Sequence, residues 1–522
     1  VVNVRMSLAD SEGDEDPWTL PPSKRKEPKR IPGPLPASVK LVRSNLIFVE
    51  KEGVPMALPS ALPSALLNRL MRLAAFQNPE FYKAQAMRLP TFGKPRVIAC
   101  AEEYAHHIGL PRGCLDEVVD LLESHHIKLE ITDKQCQGTP MVATFHGELN
   151  PRQLVAARQL AAHEQGVMSA PTAFGKTVIG AWLIAERKVN TLVIVHRKLL
   201  MDQWRERLAL FLDVPKKSIG LVGGGQKNKR TGIIDIAIMQ SLNRKGVVSD
   251  VVAEYGQVIV DECHHLSAFS FEQVLKQVKA RYVLGLTATP VRKDGHHPII
   301  MMQCGPIRYR ASTRHGVDTS PYEHEVIPRI TSFRMDLDRP DMSIHDVYAA
   351  LLADQARNDL IFDDLLKALE AGRSPLLLTE RVEQLEYFAQ RLAKFARNIV
   401  VLQGGMGKKQ RKAIMARLAA IPDGEERVLI ATGRYVGEGF DDARLDTLFL
   451  VTPISWRGTL QQYVGRLHRL HAGKRVVKVY DYADLQVPML RRMYEKRVRG
   501  YKLMGYELPE NDDSCERQKR FY

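Results

Sequence analysis

The stretch SAPTAFGKT, Ser169 to Thr177, read with VIVDECHH, Val258 to His265, decides how this chain of 522 residues folds. Small residues in the first stretch let main-chain N–H groups point at phosphates, and the loop runs through Thr172 to Gly175, Lys176 and Thr177. The Lys176 ammonium reaches β/γ oxygens there, and the Thr177 hydroxyl can hold Mg2+. The second stretch is an apolar strand that ends in two carboxylates. Asp261 would complete the Mg2+ shell and Glu262 would orient the attacking water. The loop departs from the usual pattern at Ala170, where a first Gly is expected, and at Ala173-Phe174. Ala still permits close phosphate approach. Loop first and carboxylates second, each behind an apolar run, specify a nucleoside triphosphatase.

Outward from this pair, strand-then-helix units fill the sequence. TLVIV at Thr191, GIIDIAIM at Gly232, QVIV at Gln257 and YVLGL at Tyr282 are apolar runs that suit a parallel sheet buried on both faces. After a polar linker the pattern restarts with a long helix through YAALLADQARNDLIFDDLLKAL. SPLLLT, NIVVLQ, RVLIAT, LDTLFLV and VVKVYDY follow it. The expected division is a disordered arm over 1–40, a small α/β domain over 41–145, two larger α/β domains over 146–335 and 336–485, and a basic tail over 486–522. In the small domain RVIACAEE and IKLEIT read as strands, and LDEVVDLLESH has helical spacing.

Composition bounds the partners. No apolar run approaches the ~20 residues that cross a bilayer, and no membrane partner is expected. Six cysteines without a C-x-x-C pair argue for reduced thiols and a cytoplasmic setting rather than a disulfide or zinc framework. The acidic start is not a signal peptide, and its lack of Met suggests a processed chain or a piece of a longer one. A formal net charge of +15 points to a polyanion.

The remaining motifs carry a resemblance. From about Gly147 to Tyr482 the chain resembles a superfamily 2 helicase of the DExH kind, closest to the XPB and UvsW group. That likeness implies two tandem RecA-like domains, with ATP and Mg2+ in the cleft between them. DECH, Asp261 to His264, matches the DExH box. GLTATP is similar to the motif that couples hydrolysis to domain closure, with Thr287 and Thr289 as its hydroxyls. QQYVGRLHR matches the motif whose Gln462, Arg466 and Arg469 reach across the cleft, the arginines acting on the γ-phosphate. NPRQ looks like the adenine-reading motif, with Gln153 as its amide. VHRKLLMDQW, MQSL, TERVEQLEYF and ATGRYVGEGFD are similar to motifs Ia, Ib, IV and V. They make Arg197, Gln240, Arg381 and Thr432 candidates for nucleic-acid contact and Asp441 for the ribose. VRKD resembles the R-E-D triplet of the XPB group with Lys293 in place of the acid, which puts any carboxylate role there in doubt.

Phe76 to Cys114 looks like the segment ahead of the helicase in TOTE-type conflict systems, which implies a primase-like module or other conflict-system proteins as partners. Three function classes stay open: a helicase or translocase on single-stranded or branched DNA, the same motor on RNA, and a weakly catalytic nucleic-acid clamp. The intact carboxylates and arginines argue against the last.

Overall fold

The apolar runs around the phosphate loop pair as one parallel sheet. In the computed structural model its seven strands lie in the order Ile219–Val222, Ile234–Ile238, Thr191–Val195, Gln257–Asp261, Tyr282–Thr287, Gln165–Ser169, Ile307–Arg310. Every pairing is parallel. Thr191–Val195 and Gln257–Asp261 are buried at each position, which is why both read as unbroken apolar runs and not as alternating ones. The residues described are 31, 35–51, 64–171, 174–224, 229–244, 246–265, 268–291, 294–311, 322–335, 344–404, 406–433, 442–454, 457–469, 471 and 473–508. Most of the expected disordered arm lies outside them, and a strand, Ser38–Arg43, already begins within its last residues.

The chain divides into two compact units. The first runs to Ala170 and resumes over Gly175–Arg310; the second takes Pro171–Phe174 and everything from Ala311. In the second, six strands form another all-parallel sheet, in the order Glu323–Ile330, Val476–Ala483, Thr447–Leu450, Pro375–Thr379, Val428–Thr432, Ile399–Leu402. Both large sheets are thus the α/β, RecA-like kind that the sequence implies. The strand Glu323–Ile330, counted with the first domain from sequence, pairs with Val476–Ala483. The single long helix expected there is two, Ile344–Ala353 and Gln355–Glu370. Asp354 divides them: its backbone is extended, and its carboxylate accepts the Arg357 N–H at 2.7 Å as an N-cap.

The described part of the basic tail is packed on its unit. Helix Pro488–Leu503 buries Leu490, Arg497, Gly500 and Tyr501. Arg497 donates through both Nε and Nη2 to Asp481, at 2.8 Å each, and through Nη1 to the Ile454 carbonyl at 3.0 Å. Removing one partner of such a buried pair leaves the other charge uncompensated. Arg497→Leu is therefore expected to cost the second unit about 3–5 kcal/mol, read as a lowered urea midpoint. A loss under about 1 kcal/mol would place this arginine among weakly contributing surface pairs.

The small N-terminal domain has a mixed sheet in the order Glu102–Glu103, His107–Leu110, Ile47–Glu50, Ser38–Arg43, Lys128–Asp133. RVIACAEE, expected as one strand, splits in two. Val97–Ala99 pairs with Ala75–Gln77, and Glu102–Glu103 with His107–Leu110. Its core is continuous with that of the first large sheet: Leu41, Val49, Ile108 and Leu110 belong to one cluster with Val167, Leu192, Val258 and Val283. Arg112, 2% exposed, fastens the join. Its guanidinium donates to the carbonyls of Ala280 and Asn45 at 3.1 Å, of Leu275 at 3.3 Å, and of Val278. Burial lowers its pKa to about 10.

Candidate nucleotide site and nucleic-acid face

Ligands of parallel α/β sheets sit beyond the carboxyl ends of the strands, and the motifs of the first unit lie there. Gln257–Asp261, Tyr282–Thr287 and Gln165–Ser169 are adjacent strands, and the Ala170 N–H donates to the Thr287 carbonyl at 3.0 Å. Phosphate loop, carboxylates and threonine motif therefore start from one place. Gly175 adopts φ +95°, a conformation that favours glycine, and Gln153 Nε2 stands against its open side.

Lys176 opens helix Lys176–Arg187 and is buried; its ammonium donates to the Ala170 carbonyl at 3.0 Å and stands 3.6 Å from Glu262 Oε1. Asp261 accepts Trp204 Nε1–H at 2.7 Å and the Glu262 N–H at 3.0 Å. Burial, and then the neighbouring Glu262 charge, push the Asp261 carboxyl up to about 6, while Trp204 and Lys176 pull it down. Glu262 itself has φ +47°, a conformation uncommon outside glycine and of the kind held at functional sites.

The polar chain continues to His264, whose Nδ1 lies 3.4 Å from Glu262 Oε2 and 2.8 Å from Thr287 Oγ1. Thr287 donates its hydroxyl proton to the Thr289 carbonyl at 2.8 Å and accepts the Thr289 N–H at 3.1 Å. The same hydroxyl meets both the Thr289 main chain and His264 Nδ1. Lys176, Glu262, His264, Thr287 and Thr289 thus form one connected network, and Asp261 joins it through Glu262.

A nucleotide with a hard divalent cation suits this donor set. Thr177 and Asp261 offer hydroxyl and carboxylate oxygens, Lys176 a buried ammonium, and the helix start its main-chain N–H groups. Gln153 stands beside the loop, but its Oε1 accepts the Asn150 N–H at 3.0 Å in a capping box, leaving Nε2 as the amide end toward Gly175. Thr172 and Asp441 lie outside the described residues, as does Lys293.

The four residues proposed for nucleic-acid contact all sit at carboxyl ends of parallel strands. Arg197 caps the helix after Thr191–Val195, and Gln240 is exposed just after Ile234–Ile238. Arg381 caps the helix after Pro375–Thr379. Thr432 is the last, buried residue of Val428–Thr432. In the second unit Gln462 lies in helix Arg457–Val464, with Arg466 in the turn after it, both buried, and Arg469 follows partly exposed.

Sequence reasoning missed two supports. Trp204 lies within motif Ia, where its sequence context assigns it no role, yet it holds Asp261. Lys474 carried no signal at all, since a lysine is seldom buried. Its ammonium donates to the carbonyls of Ala443, Leu467 and Arg469 at 2.8 to 2.9 Å, so it braces the turn that carries both arginines. Burial lowers its pKa to about 8.

His468, inside the same motif, stacks on Tyr506 and bonds its hydroxyl at 2.8 Å, with His324 edge-on at 4.8 Å. Burial lowers His468 to about 3 and His324 to about 4, from 6.5. Below pH 6.5 the unfolded chain takes up protons that the folded unit refuses. Stability is therefore complete above that pH and falls as the pH drops towards 4. Urea midpoints between pH 7 and 5 check this, and His468→Phe should flatten the slope. An unaltered slope in that variant would assign the acid loss to other groups.

Comparison with known proteins follows the same two sheets. The family model described as "Type III restriction enzyme, res subunit" matches residues 146–292, and "Helicase conserved C-terminal domain" matches 360–471. 161L of Invertebrate iridescent virus 6, a protein bearing a helicase name, is 28% identical over 389 residues, 70% of this chain and 84% of its own. The DNA 3'-5' translocase XPB2 of Sulfurisphaera tokodaii is 33% identical over 165 residues, 32% of this chain and 36% of its own. Among solved structures, a fragment assigned as an HsdR subunit of a type I restriction enzyme from Vibrio vulnificus covers 70% of this chain and 68% of itself. Its TM-score is 0.51 at 17% identity, a likeness of fold. With the res-subunit model on the first large sheet and the helicase C-terminal model on the second, the chain is an ATP-dependent helicase of superfamily 2, similar to XPB proteins over part of its length.

Proposed function

We propose that this helicase translocates on DNA, coupling ATP hydrolysis to strand separation or remodelling. The observation that carries the mechanism is the network from Lys176 through Glu262 and His264 to Thr287 and Thr289. In this reading Lys176 holds the β/γ-phosphates, Thr177 and Asp261 hold Mg2+, which supplies charge neutralisation when bound, and Glu262 orients water. His264 relays the state of Glu262 to the threonines, and Gln153, Thr172, Gly175 and Asp441 complete the grip on the nucleotide. Gln462, Arg466 and Arg469 serve the γ-phosphate, and Arg197, Gln240, Arg381 and Thr432 hold the strand. DNA over RNA is supported by the likeness to a DNA translocase. The likeness of Phe76–Cys114 to TOTE-type systems supports a place beside a primase-like module in a defence or mobile-element system, and the scattered cysteines support a cytoplasmic setting. Among the described residues no helix is long and apolar enough to cross a membrane.

Competition ATPase assays with single-stranded DNA, duplex DNA and RNA test this. Turnover is expected to be slow alone and highest with DNA, and to lose stimulation steeply with salt because phosphates dominate the grip. Stimulation by RNA above DNA would reverse the assignment. Substituting Arg197 and Arg381 together should remove the stimulation and keep the basal rate.

A further inference from the structure

The insertion between Ala75–Gln77 and Val97–Ala99 belongs to no motor motif, yet it carries Phe92. At 99% exposure this is the most exposed large apolar side chain among the described residues. Met87 and Leu89 beside it are 59% and 55% exposed. Between Glu80 and Glu102 there is no carboxylate, while Lys83, Arg88, Lys94 and Arg96 are all cationic and all exposed.

This is a built projection. The Asn78 N–H donates to the Arg96 carbonyl at 3.0 Å, and its amide nitrogen to the Pro95 carbonyl at 2.8 Å, closing the base. The Leu89 N–H donates to the Ala84 carbonyl at 2.8 Å, and Lys94 N–H to Thr91 at 3.1 Å, turning the chain through Gly93 at φ +74°. Arg96 lies 5.5 Å from the Phe81 ring centroid. The root sits on the segment that follows the threonine motif. A Cβ on Gly295 would fall 2.5 Å from Pro79 Cγ, and Phe76 meets the His296 ring edge-on at 6.3 Å. An exposed aromatic ring at the turn of a cationic loop matches the pairing of stacking platform and phosphate-tracking charge that suits single-stranded nucleic acid.

We propose that Phe92 stacks on an unpaired base of the nucleic-acid substrate, with Lys83, Arg88, Lys94 and Arg96 on the flanking phosphates. This rests on the helicase reading and adds a strand-binding point outside the two motor sheets. Stacking needs only a π face, so it is indifferent to base sequence.

Fluorescence anisotropy with labelled single-stranded, forked and blunt duplex oligonucleotides, in DNA and RNA form, tests it. Phe92→Ala should bind single-stranded and forked probes about 5- to 150-fold more weakly and blunt duplex unchanged, while Phe92→Trp restores affinity. Arg88→Gln with Lys94→Gln should reduce the salt slope by about 0.7 for each phosphate no longer neutralised. ATPase without nucleic acid and the thermal midpoint should stay at wild-type values. Unchanged single-strand binding in Phe92→Ala overturns the proposal and leaves the tip as a protein-docking surface. Equal loss on every probe with lowered basal turnover also overturns it, as a packing effect. Wild-type protein that binds none of the probes overturns the helicase reading itself.

Discussion

Glu262→Gln should reduce ATP turnover about 10²–10⁴-fold, the range set by loss of a positioned acid–base group, while ATP still binds. The substitution keeps the side chain's shape and the backbone at φ +47°, so packing survives. It removes the charge that Lys176 and His264 both face, at 3.6 Å and 3.4 Å. Lys176→Ala should act differently, because it removes the ammonium itself and with it nucleotide affinity. Equilibrium binding of a fluorescent ATP analogue, run beside steady-state turnover, separates the two. Wild-type turnover in Glu262→Gln would take the water-orienting role away from this residue.

Arg466→Ala and Arg469→Ala should each lower kcat by about 10³–10⁵, the worth of an arginine finger in phosphoryl transfer, with a smaller change in KM. The two need different controls. Arg466 is 9% exposed, so its thermal midpoint must be measured before kcat is interpreted. Arg469 is partly exposed, and its carbonyl stays on Lys474 whatever its side chain. If both variants fold and keep their kcat, the second unit contributes no charge to the reaction, and the nucleic-acid clamp becomes the better reading.

The two large sheets were legible because parallel strands buried on both faces leave unbroken apolar runs, as in TLVIV and VLIAT. The phosphate loop and DExH box were legible because their chemistry restricts residue type. What escaped depended on distant partners. Asp354 looks like one more polar residue in a helix until its carboxylate is seen capping Arg357. Glu323–Ile330 finds its place only through Val476–Ala483, some 150 residues away. Lys474 resembles any surface lysine, because the carbonyls that hold it come from other parts of the chain.

Arg112 bears on how this motor can be cut. A fragment trimmed to the two matched family models, starting at 146, would retain Val278 and Ala280 but lose the guanidinium that donates to their carbonyls. It would also bare the apolar surface that Leu41, Val49, Ile108 and Leu110 cover. Such a fragment should precipitate or bind a hydrophobic dye. The modest sheet ahead of the engine is, in mechanical terms, part of its casing.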